Sequence, residues 1–421
     1  MDFRSCLASR KDLIVSDERL DPHLEASQRI IASEPDPILL KDVNGMSVAA
    51  NLFADRESYA KDLSIPLDNF LQHLSNRLNS GRKVLNETGK IYGEEALDRV
   101  DLGAIPVLTH YHGDGGPYIT SAVWIVNDPE QGRNLSYHRM MVTGDKEGAV
   151  RVVENRGMHQ ALQRCDGEAE VAICIGASPA VLLAGACSPA DQIDEMDLAV
   201  RLDDIELAKC KFIDVQVPAD AEIMLEGRFT KRMSQEGPFV DITGTWDKVR
   251  QQPVIEIHRI AFREDPVYHA LIPGKAEHRI LMGMPKELDI YAAVNEHCHC
   301  LDVSVTEGGS AWLHAVVKIR KEKAADGRNA LEAAFRAHKS LKHCIIVDED
   351  IDIHDMHQVE WAVSTRFQAD RDLMVTKDQP SSSLDPSAYH EEGRKSRGSK
   401  MGLDATIKHF GEKRKMFERI S

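Results

Sequence analysis

The stretch Glu236-Gly237-Pro238-Phe239-Val240-Asp241, continued by Ile242-Thr243-Gly244-Thr245-Trp246, sets two carboxylates five residues apart across a Gly-Pro turn. Glycine opens backbone conformations closed to other residues, and proline fixes its own φ, so the turn holds its carboxylates in place. Two close carboxylates do not both ionise easily, which suits one of them to carry a proton. Working outward, apolar runs flank this turn at 119–126, 135–142, 149–153, 169–175 and 254–262, with turn residues Gly115-Gly116-Pro117 and Thr143-Gly144-Asp145 between them. Closely spaced strands with polar turns predict a β-barrel-like middle region, interrupted by a helical insert over 190–202.

The flanks have a different texture. Residues 56–79 place Tyr59, Leu63, Phe70, Leu71 and Leu74 among polar neighbours, which predicts helix broken near Pro66. Short strands are expected at 37–40 and 46–51. Beyond Pro285, a helix over 329–340, a buried strand over 344–347 and a helix over 355–365 predict a second α/β unit. The polar run 377–399, with Ser381-Ser382-Ser383, Gly393 and Gly398, reads as a long mobile loop. Residues 406–420 have helical spacing and could pack on another subunit. The reading is a mixed α+β chain in three parts, 1–100, 101–285 and 286–421, because 421 residues exceed one ordinary core.

Net charge is 52 − 68 = −16, which argues against a non-specific nucleic-acid binder. No apolar run approaches a membrane span, and Met1-Asp2-Phe3-Arg4 opens no signal core. Eight scattered cysteines, several in apolar segments, read as reduced thiols of a cytoplasmic protein. His297-Cys298-His299-Cys300 offers four soft ligands, but on a strand alternate side chains diverge and cannot converge on one ion.

Three other groups carry possible chemistry. Arg139, in the run 135–142, could simply pair with a carboxylate, or could grip a substrate carboxylate with two parallel hydrogen bonds. Asn134 and Glu195 taken singly are a turn residue and a solvated helix position. An amide oxygen and a carboxylate are the hard donors that a divalent ion takes, but no local pattern pairs these two. Arg394-Lys395-Ser396-Arg397-Gly398-Ser399-Lys400 places cations on a Gly/Ser loop, which can wrap a phosphate.

These strings occur in order with Asn51-Leu52-Phe53, Asp101-Leu-Gly-Ala-Ile-Pro106, Pro117-Tyr-Ile-Thr120, Gly176-Ala-Ser-Pro179, Arg263-Glu-Asp-Pro-Val-Tyr-His269 and Lys400-Met-Gly-Leu-Asp-Ala-Thr406. Over nearly its whole length the chain resembles the UbiD-like decarboxylases. The resemblance implies an N-terminal α/β domain, a central split β-barrel that binds flavin, a C-terminal α/β domain with a terminal helix for oligomer contacts, and a homo-oligomer. It implies prenylated flavin mononucleotide, a divalent metal (manganese first, magnesium as alternative) and K+ as a further ion. A flavin prenyltransferase would supply the cofactor.

Residue by residue, the resemblance makes Asp241 the proton donor, in a network with Glu236 and Arg139. Asn134 and Glu195 match the metal ligands. Tyr137, His138, Arg139, Arg151, Val152, Val153, Arg156, Gly157 and Lys400 match flavin contacts. Some relatives carry a third metal-site residue, a His, at or beside Arg156-Gly157; here neither Asn155 nor Gly157 is His, and His159 lies two residues on. The compact build resembles the archaeal branch that decarboxylates trans-anhydromevalonate 5-phosphate, with His138, Arg394, Lys395 and Arg397 as candidates for the substrate phosphate. The alternatives are an aromatic-acid decarboxylase and a non-catalytic flavin-binding partner. Mere binding has no need of an acid beside a carboxylate clamp, which weighs against the latter.

Overall fold

The computed structural model describes residues 1–80, 86–91, 100–188, 193–391 and 394–420. The chain forms two compact units. The first comprises 1–65, 77–241 and 246–281, and the second 66–76, 242–245 and 282–421. No described helix is long and apolar enough to cross a membrane.

In the first unit, β1 (Ile14–Leu20), β2 (Ile38–Val43), β3 (Met46–Ala50) and β17 (Val267–His269) form a sheet in the order β1-β2-β3-β17. The β2–β3 hairpin turns on Asn44-Gly45, both at positive φ, as a tight hairpin requires. Helices α1 (Phe3–Ser9), α2 (Glu25–Ser33) and α3 (Arg56–Asp62) accompany it; α4 (Phe70–Ser80), whose residues up to 76 belong to the second unit, follows a break around Pro66, as expected. A three-stranded sheet joins β4 (Asn86–Ile91), β11 (Glu206–Lys209) and β12 (Gln216–Pro218).

The site is built on an eight-stranded sheet of β5 (Tyr118–Ile119), β6 (Val123–Asp128), β7 (Gly132–Tyr137), β8 (Met140–Gly144), β9 (Glu147–Val150), β10 (Glu170–Ile175), β13 (Ile223–Glu236) and β16 (Arg250–Phe262). Its order is β5-β8-β9-β16-β13-β10-β6-β7. Strands β7 and β8 stand near opposite ends of that order, yet only His138 and Arg139 separate them. Two residues bridge roughly 10 Å at most. The sheet therefore curls until its ends meet, and the chain crosses the gap at Arg139. This is a split barrel, with an open order rather than a closed ring.

The crossing corrects the single strand expected over 135–142. The run breaks at His138-Arg139 because the backbone there leaves one ladder for the other: Arg139 C=O accepts the Arg151 N–H at 3.0 Å. Strand β13, the longest, is not among the expected runs. Its first half is buried, whereas Thr230 to Ser234 lie largely in solvent and read as polar loop. Helices α5 (Gly157–Arg164) and α6 (Pro179–Ala186) were likewise not anticipated. Of the insert expected over 190–202, α7 (Glu195–Leu202) is helical, and 190–192 lie outside the described residues. One core, including Ile30, Leu40, Trp124, Ile173, Leu225 and Ile257, joins the N-terminal sheet to the barrel sheet.

After α8 (Ala276–Asn295), the second unit carries β18 (His299–Val305), β19 (His314–Arg320), β20 (His343–Asp348), β21 (Leu373–Pro380) and β22 (Arg397–Asp404), ordered β18-β19-β20-β22-β21. Helices α9 (Asp326–Ala337) and α10 (Met356–Arg366) match the expected ones closely. On β18, His299 is exposed and Cys300 buried, the divergence that period two requires.

Two expectations fail here. The described residues of the run 377–399 are not one mobile loop, because its ends extend β21 and β22; 392 and 393, with the expected Gly393, lie outside the described residues. Its middle is pinned by Trp312 Nε1 to Ser382 Oγ at 3.2 Å and Lys342 Nζ to Asp385 at 3.0 Å. The terminal helix over 406–420 shrinks to one turn, Glu412–Lys415, preceded by Gly411 at φ 65°.

Candidate active site

Strand β13 ends at Glu236, and Gly237 follows at φ 101°, a conformation that disfavours any side chain. The chain then forms a small hairpin of β14 (Phe239–Val240) and β15 (Trp246–Asp247), with Phe239 opposite Asp247. This hairpin delivers carboxylates to the barrel seam from both of its strands.

Arg139 receives them. Its Nε donates to Glu236 Oε1 at 2.8 Å and Nη2 to Glu236 Oε2 at 3.2 Å. Nη1 donates to Asp241 Oδ2 at 2.7 Å and Nη2 to Asp247 Oδ2 at 2.8 Å. A guanidinium has five N–H groups, so these four bonds leave one, on Nη1. The Phe239 ring lies 4.3 Å from the guanidinium carbon. The two-pronged grip expected for a substrate carboxylate is thus already taken by Glu236.

Glu236 is wholly buried. Tyr118 Oη donates to it at 3.2 Å and accepts the Gly237 N–H at 3.0 Å, so one phenol fixes both sides of the turn. Burial and the neighbouring Glu236 push the Tyr118 phenol up, which keeps it a neutral donor. Burial alone would raise Asp247, but Arg250, 2.7 Å away, and Arg139 outweigh it and hold the carboxyl at about 2. His278 on α8 feels Asp241 and Arg139; burial lowers its pKa. Its Nδ1 accepts the Gly274 N–H at 2.9 Å, so a neutral ring carries its proton on Nε2.

Below the hairpin, the Asp114 side chain is fully buried. Its Oδ2 accepts the His110 and Tyr111 N–H groups at 3.0 and 2.9 Å, and Gly115 N–H donates to Pro238 C=O at 2.8 Å. The loop before β5 thereby props the Gly-Pro turn. Asp247, Tyr118, Asp114 and His278 escaped assignment from sequence. Tyr118 stood in a quoted landmark, and Asp247 follows Trp246 directly, but neither shows a role until the hairpin register is known.

A second cluster lies on β7. Asn134 Nδ2 donates to Glu195 Oε1 at 3.1 Å, and the Leu135 N–H to Glu195 Oε2 at 2.9 Å. Burial raises Glu195 to about 7, and among the described residues no cationic side chain pairs with it. A buried carboxylate beside an amide and without a cation suits a hard metal ion. The described residues contain no group of three or more His, Cys, Asp or Glu able to hold a metal, so any ion here takes few side-chain donors. Gly157 packs directly on Asn134: a Cβ there would meet Nδ2 at 2.7 Å. A side chain at 157 and this placement of Asn134 exclude one another.

The seam gathers most of the expected flavin contacts. His138 is neutral, lowered to about 4 by burial; Nδ1 donates to Arg151 C=O at 3.1 Å, and Nε2 accepts from Ser136 Oγ at 2.9 Å. Tyr137 Oη donates to Leu182 C=O at 3.2 Å. Val152 N–H donates to Gln252 Oε1 at 2.9 Å, Val153 is exposed, and Arg156 caps α5. Lys400 lies in the second unit on β22, nearly buried, donating to Lys339 and Leu341 carbonyls at 2.7 and 2.6 Å. Burial lowers it to about 8. The Phe335 ring lies 5.3 Å from the ammonium, and among the described residues no carboxylate pairs with it, a setting that suits an added anion such as a phosphate. Arg394 and Arg397 are engaged by Glu391 and Asp378 at the surface.

Three domain families match in series: the 3-octaprenyl-4-hydroxybenzoate carboxy-lyase N-terminal domain over residues 5–78, its Rift-related domain over 82–276 and its C-terminal domain over 279–405. The chain belongs to the UbiD family of decarboxylases. It is 39% identical over 419 residues to an anhydromevalonate phosphate decarboxylase of Methanothermobacter thermautotrophicus, covering 97% of this chain and 96% of the other. The enzyme of the same name from Methanocaldococcus jannaschii is 38% identical over 411 residues, 96% of each chain. Among solved structures, the UbiD-class enzyme HmfF from Pelotomaculum thermopropionicum in complex with FMN superimposes with a TM-score of 0.92 at 34% identity, covering 100% of this chain and 97% of the other. An evolved dimeric form of HmfF in complex with prFMN gives 0.89 at 32%, with 100% and 96% covered. The mixed α+β, three-part UbiD-like architecture read from the sequence therefore holds.

Proposed function

We propose that this chain is a prenylated-flavin-dependent decarboxylase that converts trans-anhydromevalonate 5-phosphate to isopentenyl phosphate and carbon dioxide. What carries the reading is Arg139 clamping Glu236 and Asp241 at the barrel seam, in a chain 39% identical over its length to an anhydromevalonate phosphate decarboxylase. When bound, the flavin supplies the electron sink for the carboxyl carbon bond. The residues do the rest. Arg139 orients the carboxylates, Glu236 fixes Arg139, and Asp241 delivers the proton that replaces carbon dioxide on carbon. Asn134 and Glu195 would hold a divalent ion, manganese or magnesium, which would supply positive charge for the cofactor's phosphate, and Lys400 is retained as a phosphate-binding residue of the second unit. Tyr137, His138, Arg151, Val152, Val153, Arg156 and Gly157 would border the flavin. We retain a homo-oligomer, a prenyltransferase as cofactor supplier, and the division 1–100, 101–285 and 286–421 as part of this reading.

Asn134→Ala and Glu195→Ala are each expected to lower metal and flavin content together, because the ion they would hold would supply positive charge for the cofactor's phosphate. Elemental analysis and mass spectrometry of protein made with a flavin prenyltransferase check this. Retention of both in either variant removes that role for the ion.

The substrate test compares carbon dioxide release from the phosphorylated acid, its dephosphorylated form and 4-hydroxybenzoate. A phosphate held away from the reacting carbon lends binding energy to positioning, so its loss is expected to cut kcat/KM by about 10²-fold or more. Faster turnover of 4-hydroxybenzoate would assign the chain to an aromatic acid instead.

A further inference from the structure

Asp247 has no part in the roles assigned so far, yet its side chain is 6% exposed and sits against both guanidiniums of the seam. Oδ2 takes Arg139 Nη2 at 2.8 Å, while Oδ1 takes Arg250 Nη2 at 2.7 Å and the Lys248 N–H at 2.9 Å. Its backbone is fixed opposite Phe239, two residues from Asp241. Nη2 of Arg139 therefore divides between Glu236 and Asp247, and Nη1 faces Asp241.

We propose that Asp247 is a positioning residue for the decarboxylation, holding the Arg139 guanidinium turned toward Asp241 and offsetting the positive charge that Asp241 meets. The proposal rests on Asp241 as proton donor. Glu236, Asp241 and Asp247 face Arg139 and Arg250, so 3 − 2 = 1 carboxylate is in surplus when all are ionised. Without Asp247 the count is two against two. Without Arg250 the surplus doubles. His278 from α8, whose pKa burial lowers, also feels Asp241 and Arg139, with Arg279 acting on His278; Asp114 feels Arg139 as well.

The two deletions therefore have opposite signs. The donor works protonated, so activity is lost as pH rises through its titration. Asp247→Asn removes a negative neighbour, favours the carboxylate and moves the alkaline limb of kcat down by about one pH unit. Arg250→Gln removes a positive neighbour and moves the limb up. Full-length protein labelled with carbon-13 at aspartate carboxyls gives the same order without substrate or cofactor, the Asp241 resonance being assigned by its loss in Asp241→Asn. Asp247→Glu, which keeps the charge, is expected to keep the parental limb.

Shifts of the same sign, or no shift in either variant, overturn the proposal. So does an ordered carbon-13 shift with an unmoved kcat limb. If Asp247→Asn does not fold, an upward shift in Arg250→Gln supports the proposal, and an unmoved or downward one refutes it. A parent that releases no carbon dioxide from the phosphorylated acid refutes the substrate reading alone, because the resonance titration still reports on Asp247.

Discussion

Asp241→Asn is expected to reduce turnover by about 10²-fold or more, the ordinary scale of a lost general acid. Flavin content and the thermal midpoint should stay near those of the parent. Asparagine matches aspartate in shape, and its amide oxygen can still accept from Arg139 Nη1, which lies 2.7 Å from the native carboxylate. What it lacks is a proton to give. The loss should fall on kcat rather than KM, because the interaction removed belongs to the proton-transfer step and not to ground-state binding. Carbon dioxide release at saturating substrate, with flavin measured in the same sample, decides the matter. A parental rate would move the acid to Glu236. That residue is wholly buried and bound by Tyr118, so it would have to turn toward substrate first.

The chemistry of this site was legible where a short string carries it whole. Glu236 and Asp241 flank one Gly-Pro turn, and the positive φ of Gly237 shows why glycine stands there. Asn134 and Glu195 were paired only through a family resemblance, and they meet at 3.1 Å. What sequence could not show was register. Asp247 reaches Arg139 because Phe239 pairs with Asp247 across the hairpin, and no local pattern announces that pairing. His278 reads as an ordinary position near the start of a helix until α8 brings it near Asp241.

The fold was legible to a similar degree. Strands with continuous apolar runs, such as β10 with five buried residues in six, announce themselves. Strand β13 does not, because its outer half lies in solvent and carries Lys231, Arg232 and Ser234. The seam was misread for a related reason. The run 135–142 is apolar enough for one strand, but the ladder partners of its halves stand at opposite ends of the sheet: β7 pairs with β6, and β8 with β9 and β5. Hydropathy reports burial, and it is silent about which neighbour supplies it.

Arg139→Met is expected to be the most destabilising single change at the site, at about 3–5 kcal/mol. Methionine fills much of the volume beside Phe239, so packing loss is small beside the electrostatic cost. Removing the guanidinium leaves Glu236 with 0% side-chain exposure and without its cation, and takes one cation from Asp241 and from Asp247, which keeps Arg250. A buried carboxylate in that position favours its protonated form. The deficit should therefore be largest near neutral pH and narrow as pH falls toward the ordinary carboxyl range, where protonation removes the buried charge. Urea unfolding of parent and variant at pH 7.5 and pH 5 measures both features. The double change Arg139→Met with Glu236→Gln should recover part of the loss, since a neutral amide needs no counter-charge and can still accept from Tyr118. Equal stability of parent and Arg139→Met at pH 7.5 would mean that Arg139 contributes no net stability where it stands, and the account of Glu236 as a carboxylate held by its guanidinium would fall with it.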